Sequence, residues 1–168
     1  INTEIKQFNC QLQNNNVRFY SPLFFRHISD MQAIILDTET HTLNGQPIEI
    51  AYAPVEIVEH KISLDKSRLF DHLYSCDEAI SFAAMAVHHI LESDLEGQPH
   101  YSTFRLPDET VYMIGHNIDY DIRAIEKCGV DTSKIKAICT LALARRVWPD
   151  AEAHNISALI YMITKGSE

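Results

Sequence analysis

Much that would define other protein classes is missing from this chain. No apolar run approaches the roughly 18 residues of a membrane span, and no N-terminal segment has the shape of a signal peptide. No membrane role is expected. The four cysteines, Cys10, Cys76, Cys128 and Cys139, are scattered and form no C-x-x-C. That excludes a paired-cysteine metal or redox motif and fits reduced thiols of a cytoplasmic chain. His41, His60, His72 and His100 fall at no metal spacing such as H-E-x-x-H and read as surface or turn histidines. Positive charge is also scarce. There are 14 Lys and Arg against 23 Asp and Glu, a formal net charge of −9. A broad basic surface of the kind that grips nucleic acid is therefore excluded. No internal repeat and no linker divides the chain.

What remains is an ordinary globular composition, 46% hydrophobic and 22% charged over 168 residues, enough for one domain with one core. Charge is unevenly spread. Residues 31–110 hold 14 acids against 4 bases, whereas residues 111–150 hold 5 acids against 6 bases. Any phosphate contact is expected from the second half, with metal ions supplying positive charge elsewhere.

The informative stretch is Ala33-Ile-Ile-Leu-Asp-Thr-Glu-Thr40. A short apolar run bounded by polar residues predicts a buried strand. Residues two apart share a face of a strand, so Asp37 and Glu39 project together from its end. Two like charges that close are costly unless something offsets them. A divalent cation with oxygen ligands is the natural remedy.

Along the chain, residues 1–30 stand apart as an extension. Asn and Gln dominate Asn9 to Asn16, and Phe19, Tyr20, Leu23, Phe24 and Phe25 offer an apolar tether. The domain is expected over 31–168. Strands are predicted at 32–37, 48–58 and 61–70 as an antiparallel meander, with Asn44-Gly45 turning between the first two. A helix follows over 79–90, then a loop bracketed by Pro99 and Pro107. Val111 to Gly115 reads as a buried strand, Asp119 to Cys128 as a helix stopped by Gly129. Ile135 to Cys139 reads as a third buried strand. Thr140 is placed to cap a helix over 141–147 that ends before Pro149, and Asn155 to cap a last helix over 156–163. The order implies an α/β fold, a mixed β-sheet flanked by helices.

A second acidic stretch, Ile114-Gly-His-Asn-Ile-Asp-Tyr-Asp121, leaves another strand and opens a helix. Sites in open α/β sheets gather at such strand ends, so Asp119 or Asp121 can join the first pair. Asp119 suits a helix N-cap or first turn.

DTET, then GHNIDYD, then ICTLALARRVWP with HNISAL resemble, in that order, the DnaQ-like (DEDD) 3′–5′ exonucleases, over roughly residues 31–163. The resemblance implies a ribonuclease-H-like fold and two-metal hydrolysis of phosphodiester bonds from the 3′ end of single-stranded DNA or RNA, releasing nucleoside monophosphates. It assigns Asp37, Glu39 and Asp121 as catalytic metal ligands for two Mg²⁺ or Mn²⁺ ions. Thr40, Leu43, Asn117 and Tyr120 match positions lining the terminal-nucleotide pocket of relatives. His88, within Ala86-Val-His-His-Ile90, matches a loop beside it. The third motif of the His-containing branch, His-x4-Asp, does not appear. Its general base is expected beyond Glu168, with His154 a poor substitute and Tyr161 lacking the Asp that its branch would need. Thr42 stands where relatives often carry Gly.

Two other readings compete. An aspartyl-phosphate phosphatase normally needs D-x-D and leaves GHNIDYD unexplained. An inactive nucleic-acid-binding or scaffolding module fits a site without its base. An exoribonuclease on the same fold is a variant of the main reading. Arg145 and Arg146 suit a helix C-terminus, and Trp148 suits a place under a helix end.

Overall fold

The computed structural model describes residues 32–58 and 61–166. The N-terminal segment with Cys10, and also His60, lie outside the described residues.

Six strands form one mixed sheet. β1 (Ala33–Thr40) is central, with β2 (Pro47–Val58) antiparallel on one side and β5 (Tyr112–Gly115) parallel on the other. β6 (Lys136–Cys139) extends the sheet, parallel to β5. The hairpin from β1 to β2 is closed by Asn44, at φ 59°, and by the Gly45 N–H donating to the Thr42 carbonyl at 2.7 Å. The meander expected over the first three strands is present, but its third member is divided. β3 (Lys61–Leu64) pairs with the far half of β2, and β4 (Phe70–Leu73) with the near half. Between them Asp65 caps a 3₁₀ turn, accepting from the Ser67 N–H and from Arg68 Nε at 2.6 Å. Opposite this break, the Pro54 carbonyl accepts from the Asp65 N–H, and Pro54 has no N–H to donate.

The helices are α1 (Phe82–His88), α2 (Asp119–Glu126), α3 (Thr140–Val147) and α4 (Ile156–Thr164). α1 is shorter than predicted. Ser81 caps its start and His89, at φ 61°, ends it. Asn155 caps α4 as expected, accepting from the Ala158 N–H at 2.9 Å. Thr140 does not cap α3. It is the first helical residue, and its hydroxyl donates instead to the Gly115 carbonyl.

The main core lies between the sheet and α2, built on Ile34, Leu36, Met113, Ile118, Ile125 and Phe104. A smaller one under α1 joins Ile48, Ile80, Ile90 and Leu95. Two expectations of burial fail. β6 is exposed along most of its length, because it is the edge strand and pairs only with β5. Trp148 is 39% exposed at the end of α3. Among the described residues, no helix is long and apolar enough to cross a membrane.

Candidate active site

The pleat of β1 sorts its polar residues. Thr38 and Thr40 continue the buried face of Ile34 and Leu36, whereas Asp37 and Glu39 continue the half-buried face of Ile35. Across β2, Asp37 stands opposite Ala51 and Glu39 opposite Glu49; β4 then places Asp71 opposite Ala51. One sheet face therefore carries four acids in two rows, with the small Ala51 between Asp37 and Asp71. Burial pushes the Glu49 carboxyl up to about 7, and the charges of Asp71 and Asp37 add to the effect.

Asp121 arrives from the other side. β1 pairs with β5 only through Ala33–Ile35, so its last residues have no strand partner on that edge. The chain leaves β5 at Gly115, turns through Asn117 at φ 73°, and starts α2 across the gap. The turn is tight. A Cβ on Gly115 would fall 2.6 Å from Ile118 Cδ1 and 3.0 Å from the Leu36 carbonyl. Asp121 is 3% exposed and accepts a hydrogen bond from the Thr38 hydroxyl at 2.9 Å. Burial, then the nearby charge of Asp37, push its carboxyl up to about 8, against the pull of the Thr38 hydrogen bonds. Asp119 is the first residue of α2 rather than its cap, and it is exposed.

The three carboxylates thus share one end of β1, with Asp121 close enough to Asp37 to feel its charge. They do not form a finished cage. Among the described residues, no three His, Cys, Asp or Glu side chains are grouped so as to hold a metal ion. The donor chemistry nonetheless suits a hard divalent cation. Oxygen acids of which one is held protonated by burial first and by a neighbouring carboxylate second are the setting that such a cation relieves.

The remaining predicted residues fall in separate places. Thr40 is buried, donates to the Thr42 carbonyl at 2.7 Å, and shares a short hydrogen bond with the Tyr120 hydroxyl. This bond ties the end of β1 to α2. Both residues line a cavity of 430 Å³ between the β1–β2 turn, at Asn44 and Gly45, and the Arg123, Ala124 and Lys127 side of α2. Leu43 is 80% exposed at the turn and does not line that cavity. Asn117 serves the turn into α2, its carbonyl accepting from the Tyr120 N–H at 2.9 Å. His88 Nδ1 accepts from the Ile90 N–H, and its Nε2 is buried beside the Thr40 backbone without completing a hydrogen bond. Burial holds this imidazole below its ordinary pKa. His154 donates from Nε2 to the Trp148 carbonyl at 2.9 Å, while its own carbonyl accepts from His116 Nε2. Tyr161 is 61% exposed on α4.

His41, read as a surface or turn histidine, is 4% exposed. Its Nδ1 accepts from the Gln46 N–H at 2.9 Å and so closes the loop behind the acids. Thr38 and Glu49 were not singled out in the sequence. Only Thr38 was reachable from alternation. Thr38 had to face the helix side of β1, but the pairing of Glu49 with Glu39 depends on the register shift between Glu39 and Thr40, since a plain two-residue turn at Asn44-Gly45 would set Glu39 opposite Ile50.

No family model matches the chain. Two curated proteins, exodeoxyribonuclease 10 of Escherichia coli strain K12 and of Escherichia coli O6:H1, are each 32% identical to it over 130 residues. The match takes in 73% of this chain and 51% of theirs, so the chain spans about half the length of these relatives. A solved structure of exonuclease X in complex with 5′-overhanging duplex DNA matches with a TM-score of 0.60 and 31% identity. That match covers 79% of this chain and 73% of the other. With the ribonuclease-H-like mixed sheet and the acids at the end of its central strand, these likenesses establish that the chain belongs to the exonuclease X group of DnaQ-like exonucleases.

Proposed function

We propose that this protein is a metal-dependent 3′–5′ exonuclease that hydrolyses single-stranded DNA ends and releases nucleoside monophosphates. The observation that carries the reading is the placing of Asp37, Glu39 and Asp121 at one end of β1, with Asp121 raised to about 8 by burial and by Asp37. Asp37, Glu39 and Asp121 would hold two Mg²⁺ or Mn²⁺ ions, whose contribution is Lewis-acid activation of water and neutralisation of charge at the phosphate. The chain's own residues do the positioning. Thr38 orients the Asp121 carboxylate, and the Thr40–Tyr120 hydrogen bond fixes the wall beside it. Half-burial of Asp37 and Glu39 leaves them reachable by a phosphate from outside. His88 is the described imidazole with a buried ring nitrogen unpaired near Thr40, and it helps shape the nucleotide pocket.

One observation favours a second reading, a module that binds nucleic acid without cutting it: the acids do not converge on a common point among the described residues. A single assay separates the two. Single-stranded oligonucleotides labelled at the 3′ or the 5′ end are incubated with Mg²⁺, Mn²⁺ or EDTA. Metal-dependent release of mononucleotides from the 3′ end supports the exonuclease. Binding without cleavage, both here and in a longer form of the chain, supports the module. Matched RNA in the same assay decides the sugar preference.

A further inference from the structure

The 430 Å³ cavity shares Thr40 and Tyr120 with the scheme above, and its far wall is where the chain's charge reverses. Arg123 and Lys127 follow Tyr120 by three and seven positions, so all three lie on one face of α2. The backbone positions of the two cations are about 6 Å apart along the helix axis, four residues at 1.5 Å each. Among the described residues neither makes an ion pair, in a chain of net charge −9. No acid lines the cavity. Glu126, between the two cations in sequence, is engaged by the Thr132 hydroxyl, and Asp121 is turned into β1. The opposite wall is the tight β1–β2 turn. A Cβ on Gly45 would meet His41 Cε1 at 2.7 Å, so this wall cannot carry a larger residue without shifting.

We propose that this cavity is a second phosphate subsite, taking a phosphodiester of the bound strand on the other side of Tyr120 from the carboxylates. The inference rests on the nucleic-acid reading above and adds where the strand's charge is met. Guanidinium and ammonium groups that have no carboxylate to neutralise them attract an oxyanion, and an Arg side chain can engage two of its oxygens at once. Tyr120 lines the cavity, and none of the three carboxylates does.

Binding measured without turnover provides the test. Fluorescence anisotropy of a 5′-labelled fifteen-residue oligothymidylate is followed in EDTA from low to moderate salt. It is compared for the parent chain, Arg123→Gln/Lys127→Gln, Arg123→Lys/Lys127→Arg and Arg145→Gln/Arg146→Gln. The first pair is expected to weaken binding and to reduce the slope of log affinity against log salt by about 1. The charge-keeping pair is expected to retain the slope, which separates charge from folding. Equal slopes for the parent and the first pair would overturn the proposal. So would an equal loss from the Arg145/Arg146 pair, or no binding by the parent. Thymidine 5′-monophosphate is titrated as competitor. If its own affinity depends on Arg123 and Lys127, the cavity takes free nucleotide, and the strand assignment is overturned. Set beside the end-labelled cleavage assay, an inactive chain whose slope depends on the cations sinks the exonuclease reading alone. An active chain whose slope does not depend on them sinks this proposal alone.

Discussion

At the scale of single residues, the contest between Asp37 and Asp121 has measurable effects. Asp121 binds its proton more tightly in the folded chain, with a pKa of about 8, than in the unfolded chain, where a carboxyl titrates near 4. Its contribution to stability is therefore full below about pH 4 and is lost as pH rises towards 8. In EDTA, the melting temperature is expected to fall between pH 5 and pH 8, and Mg²⁺ should restore more of it at pH 8 than at pH 5. A cation effect of equal size at both pH values would show that proton and metal do not compete. Asp37→Asn follows from the same logic. It should remove metal-dependent cleavage while raising the melting temperature of the metal-free chain at pH 8, since the second largest cause of the Asp121 shift is gone. Thr38→Val leaves the Asp121 carboxyl buried without its hydroxyl donor. A loss of about 1–3 kcal/mol in denaturant unfolding is expected. The thiols offer an independent check. Partial burial raises the Cys139 thiol, but N–H groups of Ala142, Asn117, Ile118 and Leu141 outweigh it and hold the pKa below the ordinary value. Burial pushes Cys128 up to about 11. Mass spectrometry after brief alkylation at neutral pH should find Cys139 labelled well before Cys128.

At the scale of elements, the strand–turn–helix from β5 to α2 carries Asp121 to its place, and Gly115 sets how tightly it turns. Gly115→Ala puts a methyl against Ile118 and the Leu36 carbonyl, both in the core. The expected cost is about 1–3 kcal/mol, with a loss of activity larger than the fraction unfolded explains, because α2 must move away from β1. Most elements were legible from apolar runs and stop signals, since local composition decides where a strand or helix exists. What depended on neighbours was not. The predicted strand over 61–70 became β3 and β4 because of a Pro in the facing strand and an Asp that caps a turn. β6 reads as apolar in sequence but lies at the sheet edge, and position in a sheet is not a local property. In the site, the D-x-E pair and Asp121 could be found from spacing and resemblance. Thr38's hydrogen bond to Asp121, the burial of His41, and the Arg123–Lys127 wall need the chain folded before they appear.

At the scale of the whole molecule, the sheet has a stiff middle and soft margins. β1 is hydrogen-bonded on both sides over part of its length, and its apolar residues are buried against the main core. β3 and β6 are four-residue strands, each at an edge. Amide hydrogen exchange should retain protection longest in β1, the first half of β2, and β5, with β6 exchanging early. Equal protection of β6 and β1 would mean that something covers the edge in solution. The exposed apolar side chains near it, Ile138, Leu143, Val147 and Trp148, lie in β6 and α3 and at the end of α3. The distribution of charge is also a property of the whole. Four acids share one sheet face while Arg123 and Lys127 stand together on α2, a local polarity that net charge conceals.

The alternation along β1 has a last consequence, for inheritance. Losing or gaining one residue between Ala33 and Asp37 would present Thr38 and Thr40 where the acids stand and turn the acids towards the packed interior. Substitutions along the strand can be graded in their effect, but indels of odd length cannot. Lineages retaining this chemistry should therefore show length changes in the loops on either side of β1, or in steps of two within it, and a library of single-codon deletions should show the same gap.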